Sequence, residues 1–243
     1  MPEQLALTRL LNHLFGGLFA ALLNLVGIHA KPETAINDVF ALQLLVVVGL
    51  IAFFVIVRLT LSVEKPGPAQ HIAELIHEAI GEQAEQVIGH GYNRYQAYVT
   101  CIFLFVLINN LLGLIPGIIA PTTSIMVTLG LASVTFIYYT FNGLREQGPI
   151  GYLKHFAGPV WWMSWLIFPI ELISDVARIM SLSVRLYANM FAGDLVTLVF
   201  FSLVPVGIPV IFLGLHIFVS LIQAFVFMLL TMIYLSLATA HEH

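Results

Sequence analysis

The chain has 243 residues, 60% hydrophobic and 9% charged, with a formal net charge of −4 and a mean hydropathy of +0.98. Soluble domains carry about 25% charged residues, so this composition excludes a water-soluble globular fold and predicts an all-α integral membrane protein. The small negative charge is spread over polar segments and excludes a nucleic-acid partner, and the lone Cys101 permits neither an internal disulfide nor a cysteine-based metal site.

A bilayer span needs about 20 mostly apolar residues. Residues 1–38 fall short: Leu5–Ile28 is apolar but interrupted by Arg9, Asn12, His13, Gly16, Gly17 and Asn24. With no basic start ahead of an unbroken apolar core, this segment does not read as a cleaved signal peptide; it either lies in the interface on the outside, the preferred reading, or inserts. Residues 39–61 form the first span, because Val39–Val57 is uncharged between Asp38 and Arg58. Residues 70–90 place Ile72, Leu75, Ile76, Ala79, Ile80, Val87 and Ile88 at helical spacing with acids between them, the period of an amphipathic helix at the membrane surface.

Residues 95–143 are too long for one span and contain no Asp, Glu, Lys or Arg. The stretch "LIPGIIAPTT" cuts them near Pro116, Gly117 and Pro121 into a helical hairpin. Residues 160–240 form a second, longer hairpin, cut at "VPVGIP" (Val204–Pro209). Its first arm carries Glu171, Asp175, Arg178, Arg185 and Asp194. The whole chain reads as a single membrane domain, 1–243, with four or five crossings. Arg58, Lys65, Arg94, Arg145 and Lys154 cluster in alternate loops, which puts those loops and the C-terminus in the cytoplasm and the N-terminus outside.

Charges at membrane depth are costly and mark functional candidates. At about 100° per residue, Glu171, Ser174, Arg178, Ser181, Arg185 and Asn189 fall within about 40° of one line and make a polar stripe. Asp194 lies on the opposite face, about 13 Å further along. Counting back from the turn, His216 matches the depth of Asp194, and Gln223 matches Arg185. The hairpin therefore predicts an Asp194–His216 pair towards the outside and an Arg185–Gln223 pair near the middle. Carboxylate and imidazole exchange protons, the imidazole near neutral pH, whereas a guanidinium stays charged. A proton at Asp194 has no titratable route past Arg185 to Glu171, so the arrangement predicts a mobile partner that brings its own acid.

These residues carry a family resemblance. "SLSVRLYANMFAGD" and "LIQAFVFMLLTMIYLS", supported by "NNLLGLIPG", "VTLGLA" and a short acidic-histidine tail, resemble subunit a of the F-type rotary ATP synthase across nearly the whole chain. The resemblance implies that the last two helices lie strongly tilted against a ring of c subunits, with peripheral-stalk b subunits as further partners in a bacterial inner membrane. It implies that Arg185 faces the ring carboxylates. Asp194, His216 and Gln223 would belong to the outer half-channel and its hairpin partner. Glu171, Ser174, Arg178, Ser181 and Asn189 would belong to the inner one. Asn110 matches a region near the outer channel, and would equally serve as a hydrogen bond between helices.

The implied activity is passage of protons to and from the ring, with sodium as an alternative ion and a secondary transporter as a rival. Internal repeats, common in transporters, are absent between the halves. The chain departs from the family where Tyr187-Ala188 follows Leu186, and where Ser124 and Met126 stand in place of acidic and amide residues. No cofactor is expected: the pattern GxxxxGK followed by Ser or Thr is missing, and "HIAELIHE" (His71–Glu78) is not the HExxH zinc pattern. His13, His29, His90 and His155 carry no partner signal.

Overall fold

A computed structural model describes residues 5–25, 31, 36–62, 66–89, 91–115, 118–157, 164–203 and 207–239. The breaks read at Pro116–Gly117 and Val204–Val206, together with His29 and His90, lie outside them. The described chain is helical: α1 (Ala6–Leu25), α2 (Asp38–Leu59), α3 (Pro68–Ile88), α4 (Asn93–Leu112), a single 3-10 turn (Pro121–Thr123), α5 (Ile125–Ala157), α6 (Ser164–Leu203) and α7 (Ile208–Thr239). Five stretches are long and apolar enough to cross a bilayer: Asp38–Leu59, Asn93–Leu112, Ile125–Gly148, Trp165–Leu203 and Val210–Thr239. The protein is thus an all-α integral membrane protein. The 39 residues of Trp165–Leu203 extend about 58 Å at 1.5 Å per residue. A helix of that length fits inside a hydrocarbon core of about 30 Å only when strongly oblique.

The polar interruptions of α1 have a structural use. Asn12 donates to the carbonyl of Ile36 (3.1 Å) and accepts from its amide (2.9 Å). The Leu5 amide and the Thr8 hydroxyl donate to the Asp38 carboxylate at the start of α2. These bonds fold α1 back onto α2, and Asp38 also complements the positive end of the α2 dipole.

Helix α3 has the expected amphipathic period, but much of its apolar stripe is covered by protein. Ile80 and Ala84 pack with Val99 of α4 and Met228 and Met232 of α7, flanked by Ile76, Val87 and Ile88. Ile72 and Leu75 alone keep large apolar faces exposed on this helix. Close approach of α3 to α4 requires Gly81, where an added Cβ would stand 2.6 Å from the Gln96 amide nitrogen. That nitrogen donates to the His77 carbonyl at 2.7 Å.

The main core joins four helices: Ile102 and Val106 of α4, Ala132 of α5, Leu182, Leu186 and Met190 of α6, and Ala224 and Phe227 of α7. Leu182, Leu186 and Met190 recur every fourth residue and so share one face of α6. The α5 helix runs past the sequence-based limit near residue 143. Arg145, Glu146 and Gln147 are good helix formers, and the direction changes only at Gly148, where φ is 73°. Glycine adopts that left-handed angle without a Cβ penalty, and Pro149 disfavours a helical conformation before it. An ion pair between Arg94 and Glu146 and a hydrogen bond from Gln147 to the Ala238 carbonyl (3.1 Å) tie α4, α5 and α7 together at this end.

Candidate functional site

The polar stripe runs along α6 as one uninterrupted helical face. Glu171, Ser174, Arg178 and Asn189 are half-buried, and Ser181 and Arg185 are exposed. Arg185 reaches back one turn to the Ser181 hydroxyl at 3.5 Å, a long and weak contact. Burial on this part of the helix falls one residue further round, at Leu182, Leu186 and Met190, so the guanidinium points away from the four-helix core. Beside it runs an apolar face that nothing among the described residues covers: Val176, Met180, Val184, Phe191, Leu195 and Leu198 are exposed.

Further down the stripe Arg178 is held by charges. Its Nη1 lies 2.9 Å from Asp175 Oδ1, and its Nη2 lies 3.7 Å from Glu171 Oε1. Its guanidinium carbon sits 5.7 Å from the centroid of the Tyr234 ring on α7, within cation–π range. Asp175 is 5% exposed and is a site residue that the stripe argument passed over. Ten residues before Arg185 it falls about 80° off the line. Its spacing of three from Arg178 was the available signal.

Asp194 stands on the opposite side of α6 and meets α7. Its Oδ1 lies 3.7 Å from His216 Nδ1, close enough for electrostatic coupling and too far for a direct hydrogen bond. His216 is buried. Two glycines allow the approach. A Cβ on Gly193 would lie 2.9 Å from His216 Nδ1, and one on Gly113 would lie 3.2 Å from Asp194 Oδ1 and 2.9 Å from the Ala120 Cβ. The Ala120 backbone amide bears on the same carboxylate. The site thus draws on the end of α4, the 118–123 segment, α6 and α7.

Several buried polar atoms in these elements have no hydrogen-bond partner among the described residues: Asp194 Oδ2, His216 Nε2, Asn109 Oδ1, Asn110 Oδ1 and Thr122 Oγ1. Buried polar atoms are normally satisfied by protein or by ordered water. Asn110 donates to the Ser220 carbonyl at 3.4 Å, across 110 residues of sequence. It therefore ties α4 to α7 one turn beyond His216. Thr128 and Ser183 share a buried hydrogen bond of 3.1 Å between α5 and α6, another contact the sequence did not announce.

The structure brings Asp194 and His216 together, and it brings Glu171 and Arg178 together. It does not join Arg185 to Gln223: Gln223 is buried, and no hydrogen bond links the two among the described residues. Matching depth along a hairpin leaves the rotation of each helix open. Here Ala224 and Phe227 take the core-facing positions of α7 against Leu182, Leu186 and Met190.

Comparison with known proteins agrees with this architecture. The family described as ATP synthase A chain matches residues 39–236. ATP synthase subunit a of Koribacter versatilis is 52% identical over 244 residues, covering 100% of both chains. Subunit a of Solibacter usitatus is 45% identical over 96% of this chain and 99% of its own length, and that of Bdellovibrio bacteriovorus is 44% identical over 71% and 75%. The five apolar helices, the charged α6 and the extent of these matches place the chain in the ATP synthase subunit a family.

Proposed function

We propose that the chain is the stationary half of the ion channel of a rotary ATP synthase, with two half-channels that do not meet. The separation of the polar groups on α6 supports this reading most directly. Asp194 and His216 sit 3.7 Å apart on the α7 side, while Arg185 is exposed on the other face and bonds only to Ser181 among the described residues. Among the described residues no titratable side chain is hydrogen-bonded to both. The uncovered face of Val176, Met180, Val184, Phe191, Leu195 and Leu198 then receives the moving partner, the c ring, and peripheral-stalk b subunits hold the chain in place. The clustering of lysines and arginines in alternate loops supports a cytoplasmic C-terminus, with the chain in a bacterial inner membrane.

Protons enter from outside past Asp194, His216 and Asn110. Carboxyl and imidazole groups can both carry a proton, which favours protons over sodium as the coupling ion. The proton passes to a carboxylate of the ring, and the neutral carboxyl turns through lipid where a charged one would be costly. It ionises on reaching the stripe of Glu171, Ser174, Ser181 and Asn189. Arg185 favours that ionisation, because a nearby opposite charge stabilises a carboxylate. Arg185 also blocks cations from leaking between the paths, since it stays protonated. Gln223, on the helix facing α6, contributes a neutral polar group to the channel. Each charge that crosses releases about 2.3 kcal/mol per 100 mV, and rotation carries this energy to ATP formation on other subunits.

Arg185→Ala tests the proposal. ATP synthesis driven by a proton gradient in membrane vesicles is expected to vanish while the complex still assembles. Synthesis at the native rate would remove Arg185 from the mechanism.

A further inference from the structure

Asp175 is the only Asp, Glu, Lys or Arg buried among the described residues, and it lies in a helix apolar enough to cross the membrane. A buried carboxylate at that depth is costly unless paired, and its pair is Arg178. The two distances at the guanidinium differ in kind. At 2.9 Å, Asp175 accepts a charge-assisted hydrogen bond. At 3.7 Å, Glu171 is a neighbour of Arg178 rather than a hydrogen-bond acceptor. Tyr234, reaching across from α7, stacks near the same guanidinium. Glu171 and Asp175 thus both stand beside the one guanidinium of Arg178.

An arginine without its anchor would behave differently here. Its two Nη groups match the two oxygens of a carboxylate, and Glu171 is already within 3.7 Å. Closed on Arg178, Glu171 would gain charge-assisted hydrogen bonds on top of the attraction already present at 3.7 Å and would be drawn out of the proton path. We infer that Asp175 is a positioning residue for proton release: it anchors Arg178 against Tyr234 and keeps the guanidinium from closing on Glu171, which stays able to take up and give up protons. The inference rests on the reading of Glu171 as part of the inner path.

The test compares variants of the whole synthase in inverted membrane vesicles, scoring ATP-driven proton pumping and gradient-driven synthesis per assembled complex. Asp175→Asn is expected to slow both by about tenfold, since a close opposite charge favours an ionised carboxylate by a pKa unit or more. Asp175→Glu keeps the anchor and should restore most of the rate. The double variant Asp175→Asn with Arg178→Gln removes the released guanidinium together with its anchor and is expected to be faster than Asp175→Asn alone, because neutral replacement of a buried pair is often tolerated. Native rates in Asp175→Asn, or a double variant no faster than the single one, overturn the inference. If Asp175→Asn fails to assemble, the double variant decides. A double variant that assembles and pumps supports the anchor role. One that fails to assemble, or assembles without pumping, overturns it, because the pair would then serve the fold rather than proton release. Arg185→Ala is run alongside. Retained synthesis in that variant brings down the channel reading itself, whereas a dead Arg185→Ala with a silent Asp175→Asn brings down only the role of Asp175.

Discussion

Gly193→Ala puts one methyl group against the Asp194–His216 pair. The residue is inside α6 and lies 2.9 Å, at its would-be Cβ, from His216 Nδ1 and 3.2 Å from Cε1. Ordinary contact begins near 3.4 Å, so the imidazole must retreat by about 0.5 Å. Two opposing terms follow. Alanine gains about 1 kcal/mol over glycine in helix propensity, and overpacking costs about 1–3 kcal/mol. Overall stability is therefore expected to fall by no more than about 2 kcal/mol, and the complex should assemble. Function responds more sharply. A misplacement of about 1 Å can cost about a hundredfold in rate, and half of that about tenfold. The imidazole is already at 3.7 Å from its partner. Gradient-driven ATP synthesis per assembled complex should drop by about tenfold. Gly130→Ala serves as the control, since nothing lies within 4 Å of its added Cβ. Full synthesis in Gly193→Ala would refute the claim that the close approach of these two groups sets the intake rate.

Two further expectations use the same measurements. Asp194→Asn should slow proton uptake from outside more than it lowers assembly, and exchanging the two identities (Asp194→His with His216→Asp) should recover part of the loss. A silent Asp194→Asn would remove this pair from the intake path. At the other end of the chain, Asn12→Ala strands both polar groups of the Ile36 backbone, at about 1–3 kcal/mol for each buried unsatisfied group. Limited proteolysis in detergent should then release α1 faster than in the native protein, and an unchanged cleavage rate would show that α1 is held by other contacts.

The local geometry of a helix was legible in the sequence, and with it the polar stripe of α6. Residues Glu171 to Asn189 are related by a fixed rotation of about 100° per residue, so no tertiary information was needed to align them or to set Asp194 opposite. Hairpin arithmetic extended this to Asp194 and His216, because a short turn ties the depth of one arm to the other. Depth does not determine how far each helix turns about its own axis. That rotation is decided by which side chains fill the shared core, here Leu182, Leu186 and Met190 against Ala224 and Phe227, and it left Arg185 and Gln223 without a mutual hydrogen bond. Only the tertiary structure placed Gly113 of α4 against Asp194, bonded Asn110 to Ser220 and joined Thr128 to Ser183. Those contacts depend on packing between helices far apart in the chain, where residue spacing carries no phase. The burial of Asp175 under Arg178 belongs to both: a spacing of three made the pair possible, and packing against the bundle made it the buried one.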